Sequence, residues 1–248
     1  MTIESQILDA AASLDSFTVT ELMKILGGTL SLERVRFNWY LARLAEDGKI
    51  VRVSRGTYMV SGRAKVFRPE PGPKAAGLYR KFREEFPQVG ICVYEGQWLF
   101  QFMHHLASNQ VTYIEVEKDI AETVFHRLRD EGETVFLRPD ADLIYKYVNM
   151  DGSAVFVKHL TSESPLQTVS EIKVPTLEKL LVDMYCDPDF FYLQGAEYNR
   201  IMHNARSRYV INLSRLSRYA HRRNVARAIQ IIYESSEYDR DCRLMFSI

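Results

Sequence analysis

One short stretch of the sequence groups acidic residues with a lysine at a spacing that could support metal-dependent nuclease chemistry. The stretch is YIEVEKD at residues 113–119, and Glu115 and Glu117 would share one face at the end of a strand. Nucleases of the restriction-enzyme type use such carboxylates, with a nearby lysine, to hold a divalent metal and activate water. Their pattern places a carboxylate two residues before the lysine, where this chain has Val116 before Lys118.

The same acidic residues could instead begin a helix. Glu117, Asp119 and Glu122 would then lie in its first turns, where carboxylates favour the positive end of the helix dipole. The sequence has no Walker A loop and no G-x-G-x-x-G, G-x-S-x-G or H-E-x-x-H motif, and its six histidines are dispersed. We therefore predict no catalytic residue, no cofactor and no metal site. The alternative is a nucleic-acid-processing enzyme that uses Glu115, Glu117 and Lys118.

Basic residues are concentrated between positions 31 and 65, where eight lysines and arginines stand against three acidic residues. On a helix predicted for residues 31–47, Arg36 and Arg43 fall on one flank, away from the apolar stripe. Arginine and asparagine can make paired hydrogen bonds to guanine and adenine in a major groove. The predicted DNA-binding residues are Arg34, Arg36 and Asn38 as base readers, Arg43 in or over the groove, and Lys49, Arg52 and Arg55 on the phosphate backbone.

The helix above belongs to a series of elements in the first 66 residues. Apolar periodicity predicts helices at residues 2–14, 20–26 and 31–47, and two β-rich runs around Gly56 predict a hairpin at residues 50–60. Three helices followed by a hairpin are typical of a winged helix-turn-helix domain. The alternatives are a winged fold that binds only protein and a charged helix face that is simply solvated.

A proline-rich segment follows, and the pattern then changes. Residues 67–88 predict a linker with a connecting helix, because three prolines between positions 69 and 73 interrupt regular structure. From residue 89 to residue 160, strands alternate with helices, which favours a mixed, partly parallel sheet. The chain from residue 176 onward is predicted to be mostly helical. The expected fold is α+β with two domains, the second spanning residues 89–248.

A block of eight arginines without any acidic residue lies between positions 200 and 227. Three interpretations stay open: a second phosphate-binding face, a docking surface for an acidic partner, and an internal counter-charge to the acidic segment 115–142. A protein-interaction module built on this block is a third functional hypothesis. The candidate second basic face consists of Arg206, Arg208, Arg215, Arg218, Arg222 and Arg223.

Composition and cysteine usage indicate in which compartment the protein acts and which partners it binds. The 248 residues carry 32 basic and 32 acidic side chains, so the net charge by itself does not point to nucleic acid or membrane. No run approaches the roughly 18 apolar residues of a spanning helix, and the first residues lack a signal-peptide pattern. Cys92, Cys186 and Cys242 contain no CxxC pair. These features predict a cytoplasmic protein that does not bind membranes.

Four passages of the chain resemble the AbiEi-type antitoxins of type IV toxin–antitoxin, or abortive infection, systems. One runs from LAEDGKI at residues 44–50 to RGTY at 55–58 and is generic to winged helices. The others, more specific in combination, are YIEVEKD at 113–119, VFLRP at 135–139 and PTLEKLLVD at 175–183. The resemblance covers most of the chain.

The resemblance implies a protein without enzymatic activity. Its N-terminal winged helix would bind inverted repeats in double-stranded DNA upstream of its own operon and act as a transcriptional repressor. Its C-terminal domain would counter a nucleotidyltransferase-like toxin encoded next door, without a stable complex. We therefore expect a DNA-binding autorepressor and antitoxin, and the resemblance names no residue for the antitoxin activity.

Overall fold

The computed structural model describes residues 2–12, 14, 17–27, 33–47, 49–54, 56–60, 65–103, 111–147 and 153–245. The chain divides into two compact units. The first consists of Met1–Val66 together with Arg206–Leu216, and the second of Phe67–Ala205 together with Ser217–Ile248.

The first unit begins with three helices, α1 (Ile3–Ala11), α2 (Val19–Leu26) and α3 (Arg34–Glu46). Helix α2 is fixed at its start by a capping box: the Thr18 hydroxyl accepts from the Glu21 amide, and the Glu21 carboxylate accepts from the Thr18 amide at 2.8 Å. Such reciprocal bonds satisfy two amides that the helix cannot pair internally. The helix therefore starts at a defined residue.

A small antiparallel sheet completes this unit. Its strands are β1 (Phe17–Thr18), β2 (Ile50–Ser54) and β3 (Thr57–Val60), in the spatial order β1-β3-β2. The hairpin prediction at residues 50–60 agrees with β2 and β3. The core between helices and sheet consists of Ile7, Ala11, Phe17, Val19, Leu22, Leu26, Phe37, Leu41, Leu44 and Ile50.

A late segment of the chain also belongs to the first unit. The Lys65 amide donates to the Arg208 carbonyl at 3.2 Å, and the Val210 amide donates to the Lys65 carbonyl at 3.0 Å. These bonds form a parallel bridge between Lys65 and Tyr209. No local sequence pattern predicted this return.

The second unit is built on a four-stranded sheet of β4 (Ile91–Glu95), β5 (Val111–Val116), β6 (Val135–Leu137) and β7 (Ala154–His159). The spatial order is β4-β5-β7-β6; β4 is antiparallel to β5, whereas β7 is parallel to both β5 and β6. The predicted mixed, partly parallel sheet is confirmed. Glu115 of β5 lies directly opposite Lys158 of β7.

Helices α4 (Pro73–Glu85), α5 (Lys118–Asp130) and α6 (Ala141–Tyr147) accompany this sheet. Residues 67–88, expected as a linker with a connecting helix, lie within the second unit, and α4 buries Leu78, Tyr79 and Phe82. Between β4 and β5, the chain forms a short 3₁₀ helix, Gly96–Phe102.

The remaining elements are the hairpin β8 (Leu166–Val169) and β9 (Ile172–Pro175), then α7 (Leu177–Cys186), a 3₁₀ helix Pro188–Leu193, α8 (Ala196–Arg208), α9 (Leu213–Arg222) and α10 (Ala226–Met245). The predicted helical C-terminal part, and with it the α+β class, is confirmed. Within the described residues, every helix is too short or too polar to span a lipid bilayer.

Candidate functional site

Helix α3 presents a wide solvent-exposed surface in the first unit. Its core side consists of Phe37, Leu41 and Leu44, all buried. Since each residue advances the helix by about 100°, the side opposite to this core is centred on Val35 and Trp39. These two side chains are 80% and 55% exposed. The outward side of α3 is therefore apolar along its middle.

The predicted base-reading residues lie beside this apolar strip. Arg34, Arg36 and Asn38 are all exposed. By helical geometry, Arg34 and Asn38 lie on one flank of α3 and Arg36 on the other. The structure thus leaves all three side chains accessible to a partner.

Two further predicted DNA contacts are engaged within the chain. The Arg43 Nε lies 3.3 Å from Glu4 Oε1, and its guanidinium lies 5.6 Å from the centre of the Trp39 ring. The Lys49 Nζ lies 3.7 Å from Glu4 Oε2 and 3.2 Å from Asp47 Oδ2. Arg43 and Lys49 remain exposed at the surface, so these pairs are weak and compete with solvent.

Arg52 and Arg55 are the two arginines of the predicted wing. The backbone of Arg52 lies in β2 opposite Tyr58, whereas Arg55 lies outside the described residues.

The second unit has a cleft of about 530 Å³ at the carboxyl ends of β6 and β7. In α/β sheets, this end of the parallel strands is where ligand sites usually form. The cleft is lined by Glu115, Arg138, Pro139, Asp140, Lys158, His159, Thr161, Lys179, Asp187, Pro188, Asp189 and Arg223.

Lys158 lies in this cleft between two aspartates that flank the start of the second 3₁₀ helix. Its Nζ donates to Asp187 Oδ2 at 2.6 Å and to the two carboxylate oxygens of Asp189 at 2.8 and 2.9 Å. It also lies 5.0 Å from the centre of the Phe190 ring. Although burial lowers the pKa of Lys158, the carboxylates of Asp189 and Asp187 raise it above its ordinary value.

Lys179, in the first turn of α7, forms a second buried group of ion pairs. Its Nζ donates to Glu115 Oε1 at 2.9 Å and to Asp183 Oδ2 at 2.5 Å. Asp183 follows Lys179 by four residues, which places both on one face of the helix. Burial lowers the pKa of Lys179, but the carboxylates of Asp183 and Glu115 raise it well above its ordinary value.

Arg223, just after α9, connects these two groups. Its guanidinium donates to Asp183 and to Asp187, and the Tyr219 hydroxyl donates to Asp183 Oδ1 at 2.8 Å. Burial would raise the pKa of Asp187, yet Lys158 and Arg223 lower it to about 2. Below we call these charged residues, with Tyr219, the ionic cluster: Glu115, Lys158, Lys179, Asp183, Asp187, Asp189, Tyr219 and Arg223.

The ionic cluster offers little to a metal ion. Ligand atoms of Asp183, Cys186 and Asp187 lie within 4.8 Å of one another. However, all four oxygens of the two carboxylates already accept hydrogen bonds from Lys158, Lys179 or Arg223. Burial also raises the pKa of the Cys186 thiol to about 12, which disfavours the thiolate that binds metals.

The predicted group of Glu115, Glu117 and Lys118 has different surroundings at each member. Glu115 is buried against Lys179. Glu117 accepts the Gly90 amide at 2.7 Å, and Lys118 begins α5 with its side chain exposed. The placement of Glu117 and Lys118 agrees with the helix-start interpretation of this stretch.

The candidate second basic face is divided between the two units. Arg206, Arg208 and Arg215 belong to the first unit, and Arg218, Arg222 and Arg223 to the second. Arg223 differs from a solvated surface arginine, because its side chain is 20% exposed and neutralises Asp183 and Asp187. Arg223 therefore acts as an internal counter-charge, although its acidic partners lie outside the segment 115–142.

Sequence reasoning missed most of the ionic cluster. Lys158 interrupts the apolar strand AVFVKH, and Lys179 and Asp183 interrupt the apolar helix LEKLLVDMYC. Lysine and aspartate are almost never buried unless they are paired. Charged residues inside apolar runs were the signal that could have indicated a buried ion pair.

Comparison with known proteins gives a family but no function. A family model described as a family of unknown function, DUF6577, matches residues 36–239. No curated protein matches the chain.

Proposed function

We propose that this chain, which belongs to the DUF6577 family, is a DNA-binding autorepressor and the antitoxin of a type IV toxin–antitoxin system. In this proposal the first unit is a winged helix-turn-helix domain that binds inverted repeats in the promoter of its own operon. The second unit counters a nucleotidyltransferase-like toxin without catalysis and without a stable complex. The protein would act in the cytoplasm.

The observation that carries the DNA-binding proposal is the exposed, positively charged surface of α3. Arg34 and Arg36 are exposed, and among the described residues neither makes an ion pair within the chain. A helix with accessible arginines fits a major groove about 12 Å wide. The order of three helices and a hairpin, with β1 closing the small sheet, supports the same interpretation.

The antitoxin proposal rests on the resemblance and on where its passages lie. Passages 113–119, 135–139 and 175–183 contribute Glu115, Arg138 and Lys179 to the lining of the same cleft. A second unit whose buried carboxylates are neutralised by lysine and arginine has few groups left for acid–base or metal chemistry. This favours a binding role over an enzymatic one.

Fluorescence anisotropy of the purified chain tests the DNA-binding proposal. The probes are the DNA upstream of its own gene and a shuffled control, each at two salt concentrations. We expect tighter binding to the upstream DNA and weaker binding at higher salt, because phosphate contacts release counterions. Absence of binding at low salt would contradict the proposal.

Co-expression with the neighbouring toxin gene tests the antitoxin proposal separately. We expect the full chain, and also an Arg36→Ala variant that is impaired in DNA binding, to restore growth. Growth rescue that disappears with Arg36→Ala would mean that the chain acts only by repressing the toxin gene.

A further inference from the structure

The middle of the exposed side of α3 carries two large apolar side chains. Val35 is 80% exposed and Trp39 is 55% exposed. They are four residues apart and therefore adjacent on the helix surface. Single exposed apolar residues are common, but a valine and a tryptophan side by side, opposite the core of a helix, indicate a surface that a partner covers.

The Trp39 side chain is held in place at this surface. The Arg43 guanidinium lies over its ring at 5.6 Å, and the Tyr40 ring meets it edge-on at 5.0 Å. Glu4 of α1 lies 3.3 Å from the Arg43 Nε. An oriented aromatic ring loses little conformational entropy when a partner binds it.

Positive charge borders the apolar pair on both sides. By the 100° advance per residue, Arg34 and Asn38 lie on one flank, and Arg36 and Arg43 on the other. A matching partner therefore presents apolar groups with negative charge on both sides of them. A second copy of this chain does not fit, since a two-fold contact centred on Val35 and Trp39 would bring arginines against arginines.

The major groove of double-stranded DNA has this arrangement. Thymine presents its 5-methyl group in the groove, and the phosphates run along both edges. We propose that Val35 and Trp39 contact thymine methyl groups and thereby contribute to sequence specificity. This inference rests on the proposed DNA-binding function. It adds Val35 and Trp39 to the predicted base readers, since on the helix surface they lie between Arg34 and Asn38 on one flank and Arg36 on the other.

Replacing thymine by uracil in the DNA tests this directly, because only the methyl group is removed. Anisotropy titrations compare the upstream DNA with versions in which individual thymines of the repeats are replaced. We expect at least one replacement to weaken binding of the unmodified protein about fourfold, the typical contribution of one buried methyl-sized group.

The variants Val35→Ala and Trp39→Ala test whether these two side chains are the ones that contact the thymine methyl groups. Each should bind the thymine DNA more weakly, and the double variant should no longer distinguish thymine from uracil. Val66→Ala is the matched control, because Val66 is also an exposed apolar side chain, at 54%, but lies outside α3. This control should retain the full thymine preference.

The possible failures are distinguishable. Absence of binding to any DNA would overturn the proposed function. Specific binding that neither uracil nor the two variants alter would overturn this inference alone. If Trp39→Ala instead converts a dimer to a monomer in light scattering, with the uracil preference absent, the surface joins two copies of the chain and the inference is wrong.

Discussion

The same residue types have opposite surroundings in the two units. On α3 of the first unit, Arg34 and Arg36 are exposed, and no ion pair involves them among the described residues. In the second unit, Lys158 and Lys179 are buried and Arg223 is partly buried. Each of the three binds two carboxylate groups. Charges of the first kind remain available to a partner, whereas those of the second kind are needed to keep neighbouring charges buried.

The largest effect is expected where a charge of the second unit is removed. Lys179→Met leaves Glu115 and Asp183, both almost fully buried, without their ammonium. Breaking a buried pair in this way costs about 3–5 kcal/mol. Urea denaturation followed by Trp98 fluorescence in a Trp39→Phe background reports on the second unit, since the chain has only these two tryptophans.

Lys173→Met is the matched control for this variant. Lys173 is exposed on β9, so its replacement should change the unfolding free energy by less than about 0.5 kcal/mol. Equal losses for the two lysines would show that the ionic cluster does not stabilise the second unit.

A smaller and pH-dependent loss is expected for Arg223→Gln. The folded-state pKa of Asp187, about 2, lies below its ordinary value of 3.8. Its stabilising contribution is therefore present above about pH 4 and is lost as the pH falls towards 2. The variant should lose about 1.5–3 kcal/mol at pH 7, and its difference from the unmodified protein should shrink below pH 4.

Urea midpoints at pH 7 and pH 3 measure this effect, with Arg227→Gln, an exposed arginine of α10, as the control. A deficit that is the same at both pH values would contradict the role of Arg223 at Asp187.

In the first unit, Arg36→Ala should affect binding rather than folding. If Arg36 reads a base, the variant loses about 1–3 kcal/mol on the upstream DNA and little on shuffled DNA. Arg55→Ala should instead weaken both DNAs alike and reduce the salt slope by about 1. Equal losses on the two DNAs for Arg36→Ala would refute its base-reading role.

The smallest effect is expected at the capping box of α2. Thr18→Ala removes the hydroxyl that accepts the Glu21 amide and should cost about 1 kcal/mol. Hydrogen exchange of peptides from α2 should become faster, while peptides from β5 and β7 in the second unit stay unchanged. Thr20→Ala, an exposed position on the same helix, should show no such increase.

Elements with strong local signals were predictable from the sequence. The apolar periodicity of α3, the hairpin around Gly56, and the alternation of β5, α5 and β6 all agree with the structure. Each of these depends on neighbouring residues and on a repeat of side chains with a fixed period. The exposed arginines of α3 followed from the same periodicity.

Two strand pairs, β1 with β3 and β8 with β9, were not predicted from the sequence, for identifiable reasons. Strand β1 has only two residues and exists through its pairing with β3. The turn between β8 and β9 places Ser170 and Glu171 at positive φ, 48° and 67°. Hairpin turns with two such residues usually contain Asn-Gly or Asp-Gly, so this turn carries no recognisable signal.

The ionic cluster depends on contacts that local patterns do not contain. Lys179 and Asp183 are four residues apart, but Lys179 and Glu115 are separated by 64 residues. Lys158 and Asp189 are separated by 31. Their meeting requires the parallel pairing of β5 with β7 and the position of α7, which only the folded chain specifies.

The bridge between Lys65 and Tyr209 has a consequence for the order of synthesis. Because residues 206–216 belong to the first unit, the ribosome must translate residues 67–205, most of the second unit, before the first unit can close. A fragment ending at Val66 lacks this closing segment. Under the proposed function, residues 67–205 of the antitoxin unit are synthesised before a nascent chain can complete its DNA-binding unit.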